Sequence, residues 1–173
     1  MKRGVTFALG AAIAVQFLLL VGMYVQAQIP LWNGEPIRVK TIPVDPRSLF
    51  RGNYARLNYD FSRVEASELA GSKRLREGEV VYVSLKKSTT GLYVYSAASL
   101  KKPTEGVFLK GRIASGNRWR NEQAYRIKYG IEAYFAPKEK ALQLERELRD
   151  SGIAELMVAP SGQVRLRNVV GHD

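Results

Sequence analysis

The sequence predicts a mostly-β or α+β protein, with one N-terminal transmembrane helix followed by a single β-rich domain that carries one amphipathic helix near its C-terminus. Three observations support this. Residues 5–25 are apolar apart from Thr6, Gln16 and small residues, a run long enough to cross a bilayer. Seven or eight later stretches alternate apolar with polar residues and are punctuated by Gly, Pro and Asn, the pattern of half-buried strands. One later stretch, residues 137–151, has helical spacing, with Ala141, Leu144 and Leu148 as its apolar stripe, Pro137 at its start and Gly152 just past its end.

The apolar run spans about 31 Å as a helix at about 1.5 Å per residue, which matches a bilayer core. A secretory signal starts with the same cations but has an apolar region of only about 7–15 residues. Val25 and Ala27 do place small residues where a signal would be cut; length favours a retained anchor. Lys2 and Arg3 favour a cytoplasmic start. The expected division is therefore a cytoplasmic tip (1–4), a transmembrane anchor or uncleaved signal (5–26), a juxtamembrane linker (27–35) and a periplasmic β-rich domain (36–173). The chain would be a single-pass protein of the inner membrane. Tyr24 and Trp32 suit the membrane–water boundary.

The 173 residues contain no cysteine, which excludes disulfides, thiolate metal sites and thiol nucleophiles. The net charge is +11, from 27 Lys and Arg against 16 Asp and Glu, and predicts attraction to anionic partners. The first 34 residues hold two of the cations and no acid, so nearly all the excess belongs to the β-rich domain.

Residues 36–42 alternate Ile37, Val39 and Thr41 against Arg38 and Lys40, a strand. Pro43 and Asp45-Pro46 then force a turn, Leu49 and Phe50 plug the core, and Gly52-Asn53 reads as a left-handed or bulge position. Residues 54–61 read as a strand, with Ala55, Leu57, Tyr59 and Phe61 on one face and Tyr54, Arg56, Asn58 and Asp60 on the other. Residues 64–76 read as a short helix starting near Ser62 and ending at Gly71. Residues 79–86 and 92–98 form a hairpin about the turn at 88–91. Residues 106–114 form a strand with a bulge at Gly111, and 122–135 a long aromatic strand interrupted at Gly130. Residues 154–159 and 163–169 make a last hairpin around Pro160-Ser161-Gly162.

Phe50-Arg-Gly-Asn-Tyr-Ala-Arg-Leu-Asn-Tyr59 has the spacing Gly-Asn-Tyr-x-x-Leu-x-Tyr. With Pro43-Val-Asp-Pro-Arg47 upstream and Tyr129-Gly-Ile-Glu-Ala-Tyr-Phe135, Pro137 and Glu139 downstream, it resembles the bacterial membrane-anchored family named for its GDYXXLXY motif. Asn53 stands where that motif has Asp, which removes any carboxylate chemistry at this position but preserves a turn or capping role. The resemblance implies a short anchor, a periplasmic β-rich domain and a multi-spanning membrane protein as partner. It supplies no reaction.

The expected function is therefore a non-enzymatic accessory subunit that docks a membrane-protein partner through Asp45, Arg47, Arg51, Tyr54 and Tyr59, presented just above the membrane. A second, basic surface is expected from Arg112, Arg118, Arg120, Arg126 and Lys128 around one hairpin, interleaved with Trp119, Tyr125 and Tyr129. In the cytosol that pattern would suit single-stranded nucleic acid; outside the membrane it suits anionic lipid or a membrane protein, or serves only solubility. The competing class is an envelope enzyme. Asp45, Asp60, Glu132 and Glu139 would supply a carboxylate pair if the two motif segments met in space. A Ser–Lys hydrolase would use Ser48 with Lys73 or Lys86, but the usual nucleophile motif is missing. His172, the single histidine, lies at the chain end. No catalytic residue, metal or cofactor is expected.

Overall fold

The computed structural model describes residues 2–42, 54–69, 75–114, 124–135 and 152–171. Helix α1 (Lys2–Asn33) is apolar on all sides, and its large side chains, Phe7, Leu19 and Met23 among them, are exposed. It is long and apolar enough to cross a membrane. Residues 27–33, expected as part of a linker, are instead its last two turns. The reason is tertiary: Ala27 and Gln28 are half-buried, and the Arg165 guanidinium donates to the Ala27 carbonyl at 3.2 Å.

The remainder is a curled antiparallel-rich sheet. Its strands are β1 (Glu35–Ile42), β2 (Tyr54–Arg56), β3 (Asn58–Tyr59), β4 (Arg63–Glu65), β5 (Val80–Lys87), β6 (Tyr93–Ser99), β7 (Val107–Ile113), β8 (Ala124–Lys128), β9 (Ala133–Phe135), β10 (Gly152–Val158) and β11 (Val164–Gly171). Among the described residues the main sheet runs β11-β10-β1-β6-β5-β7-β8-β4, with β3 added to β1 and a separate β2–β9 pair. Both expected hairpins, β5–β6 and β10–β11, form. Strand β1 buries Ile37, Val39 and Thr41 as the alternation demands. The Thr41 hydroxyl donates to the Gly152 carbonyl at 3.0 Å and accepts the Gly152 N–H at 2.9 Å, so this buried polar group is satisfied.

The sheet curls until the β10–β11 turn reaches β7. There the Lys110 N–H donates to the Gly162 carbonyl at 2.7 Å. Gly162 has φ +81°, and a Cβ on it would lie 2.6 Å from the Phe108 ring, so the turn needs glycine for both backbone and space. Inside the curl, Val81, Val83, Leu109, Ile127, Ile131, Ala154 and Leu156 form the centre of the core.

Two further expectations change. Where a helix was expected over 64–76, the described residues follow a 3-10 turn (Asp60–Ser62) with strand β4 and a four-residue helix α2 (Ala66–Leu69), and residues 70–74 lie outside the described residues. Val64 is buried between exposed Arg63 and Glu65, a period-two signal that β4 uses to pair with β8. Gly111 makes no bulge, because the β5–β7 register passes through it unbroken; a Cβ there would run into Ile127 and the Tyr129 ring. The strand expected over 122–135 is interrupted at Gly130 as expected, where φ is +83°, and the break divides its described residues into β8 and β9. The helix expected over 137–151 lies outside the described residues.

Candidate functional site

The two sequence motifs are one structural unit. Tyr54, Ala55 and Arg56 pair in register with Phe135, Tyr134 and Ala133. The ladder continues irregularly as the Leu57 N–H donates to the Glu132 carbonyl at 2.9 Å. The Tyr59 hydroxyl then donates to the Ile131 carbonyl at 2.9 Å, and the Tyr129 hydroxyl donates back to the Phe61 carbonyl at 2.6 Å. Tyr59 and Phe61 stack at 5.0 Å between centroids, and Tyr129 meets Phe61 edge-on at 5.4 Å, both favoured arrangements. Residues 54–61 and 129–135 are thus joined by backbone pairing, two reciprocal hydroxyl bonds and an aromatic cluster.

The carboxylates here are occupied. Glu132 accepts the N–H of Tyr129 at 2.6 Å and of Gly130 at 3.0 Å, capping the turn that Gly130 opens. Asp60 accepts the N–H of Phe61 at 2.7 Å, so it shapes the 3-10 turn. The motif segments do meet, but Glu132 and Asp60 serve backbone geometry in this frame. Burial pushes the Tyr59 and Tyr129 hydroxyls well above their ordinary range, and the Glu132 charge adds to the effect. Both therefore remain neutral donors.

Of the residues assigned to docking, Tyr59 is 2% exposed; it holds the frame from inside and offers no surface. Tyr54 contributes its backbone to β2. Asp45, Arg47 and Arg51 lie outside the described residues, as do Ser48, Lys73, Glu139 and His172. Lys86 is exposed on β5. Among the described residues no cluster of three or more His, Cys, Asp or Glu could hold a metal. Thr41 and Ile42 pair with Tyr59 and Asn58, so the chain leaves the frame at Ile42 and re-enters it at Tyr54. Residues 43–53 are bracketed at both ends by one rigid unit. That unit sits at the far end of β1 from α1, about 23 Å along a strand of eight residues, and not beside the helix end as its sequence position suggested.

The basic residues form a second feature. Arg112 and Lys128 are in-register partners on β7 and β8, and Arg63 and Arg126 are in-register partners on β4 and β8. All four are exposed on the outer face of the sheet. Arg118 and Arg120 lie outside the described residues. Where β7 and β8 diverge, a groove of about 540 Å³ opens, lined by Lys110, Arg112, Lys128, Gln163, Glu77 and the backbone of Gly78 and Gly130. The Arg112 guanidinium donates one bond to the Gly78 carbonyl at 2.9 Å. Lys110 and Arg63 escaped the sequence reading, although Lys110 stands two residues from Arg112 and so shares its face. Arg63 was hidden because its segment read as helix.

No curated protein and no solved structure matches the chain. The sequence model of the GDYXXLXY protein family matches residues 16–169, nearly the whole chain and both halves of the frame. The chain belongs to the GDYXXLXY family.

Proposed function

We propose that this protein is a non-enzymatic accessory subunit, held in the inner membrane by α1, whose periplasmic domain docks a multi-spanning membrane protein through residues 43–53. The observation that carries the reading is the convergence of both motifs into one frame that brackets this segment at its two ends. A frame whose hydroxyls and carboxylates are already engaged is suited to presenting a neighbouring segment, not to turning over a substrate. Asp45, Arg47 and Arg51 supply that segment with charge of both signs. The distal position of the frame fits a partner that itself projects from the membrane.

Retention of α1 is supported by its length and by the packing of its end. The Ala27 carbonyl is held by Arg165, so the peptide bond a signal peptidase would cut belongs to a docked helix. The test is purification of the full chain from its native membrane with its neighbours. Arg51→Ala should abolish co-purification of the partner while the chain still accumulates, and any loss of phenotype in Asp45→Asn should come with a matching loss of co-purification. A complex that persists while Asp45→Asn abolishes the cellular phenotype would overturn docking in favour of chemistry. A mature protein beginning at Gln28 would overturn the anchor.

A further inference from the structure

We infer that the groove between β7 and β8 is a binding site for the phosphate of an anionic phospholipid head group, which fixes how the domain sits on the bilayer. The inference rests on reading α1 as a membrane span.

The first observation is charge arrangement. Like charges directly opposite each other on neighbouring antiparallel strands destabilise a sheet. This sheet nevertheless sets Arg112 against Lys128 in direct register on β7 and β8. Arg126 and Lys128 are two apart on β8, and Lys110 is two apart from Arg112 on β7, so the cations share one face. Such a face gains most from an anion that bridges it.

The second observation is shape. The groove is lined by Lys110, Arg112 and Lys128, with open space beside Gly130, where no heavy atom would meet a Cβ, and with Glu77 as the one carboxylate lining it among the described residues. Arg112 keeps guanidinium donors beyond the one used on Gly78, and a planar guanidinium matches a phosphodiester in a two-pronged fashion.

The third observation is location, which selects lipid over other anions. Gln163 lines the groove, and two residues further along the same face Arg165 grips Ala27 of α1. That separation is about 7 Å along a strand. Ala27 itself lies just past the end of the apolar run at Val25. The groove therefore opens at the depth of the polar head-group layer flanking a bilayer core.

The absence of cysteine in the chain allows a direct test. Full-length protein with Ser161→Cys, at the exposed tip of the β10–β11 turn, is labelled with a fluorophore and reconstituted into bilayers of phosphatidylcholine alone or with added phosphatidylglycerol. A small fraction of lipid carries a nitroxide quencher on its head group. Phosphatidylglycerol should increase quenching severalfold, added salt should reverse the gain, and Lys110→Gln with Lys128→Gln should reduce it to the phosphatidylcholine level. Each cation near an anionic surface contributes about fivefold in affinity. The double variant should melt no lower than the parent, which separates lost binding from lost folding.

Protein that stays in the bilayer through alkaline extraction but is indifferent to phosphatidylglycerol overturns this inference alone. Protein that is extracted overturns the span and the inference together. Inorganic phosphate that protects residues 110–114 and 126–130 from hydrogen exchange in phosphatidylcholine bilayers, where phosphatidylglycerol does not, assigns the site to free phosphate and overturns the lipid assignment.

Discussion

Tyr59 shows how much one hydroxyl can decide. The ring is buried, its face stacks on Phe61, and its hydroxyl satisfies the Ile131 carbonyl. Tyr59→Phe keeps the ring and leaves that carbonyl unpaired, which costs about 1–3 kcal/mol. Tyr93 offers the matched control. Its hydroxyl donates to Glu35 at 3.1 Å at the surface, where water replaces the lost partner. Tyr93→Phe should therefore shift a urea midpoint hardly at all, while Tyr59→Phe lowers it clearly. Equal midpoints for the two variants would show that the reciprocal hydroxyl bonds of the frame contribute nothing. The same logic explains why the last tyrosine of the motif is a core residue: its polar atom fastens one motif to another across 72 residues of sequence.

At the scale of elements, the outer face of β7 and β8 makes a prediction with an unusual sign. Lys128 faces Arg112 directly, so Lys128→Glu replaces a repulsive pair by an attractive one. The domain should become more stable by about 0.2–1 kcal/mol, read as a higher urea midpoint in phosphate-free buffer, while anion binding falls. A lower midpoint would mean that Lys128 already has a stabilising role. Strands such as β1, β5 and β7 were legible in the sequence because one buried face imposes period two over seven or eight residues. Strand β4 was not. Three residues between a 3-10 turn and a helical turn are too few to establish either period, and their identity as a strand comes from pairing with β8, 59 to 63 positions away in register. Gly111 was recognised as special, but spacing alone could not separate a bulge from a close approach of Ile127 and Tyr129. The frame was legible only as two conspicuous segments. Their joining rests on the Leu57–Glu132 and Tyr59–Ile131 bonds, which no local pattern announces. The basic face was half legible: Arg112, Arg126 and Lys128 were visible, whereas Arg63 required the β4–β8 pairing.

For the molecule as a whole, the buried tyrosines set an alkaline limit. In the unfolded chain a tyrosine gives up its proton near the ordinary value of 10.0, whereas burial holds Tyr59 and Tyr129 protonated well above it. Below that pH both states bind the same protons and these groups leave stability unchanged. Above it the unfolded chain has lost protons that the native state keeps, so stability falls as pH rises. Each such group contributes a slope of about 1.4 kcal/mol per pH unit, and two together about 2.7. Ordinary domains hold about 5–15 kcal/mol in reserve; one at the lower end would unfold about two units above the ordinary tyrosine value. Urea midpoints measured from pH 8 upward should therefore be flat at first and then decline, with Tyr59→Phe starting lower and declining less steeply. A parent and variant that decline in parallel would show that ionisation of Tyr59 is not linked to unfolding. The limit follows from the same arrangement that joins the motifs, because a frame tied by buried hydroxyls holds only while those hydroxyls keep their protons.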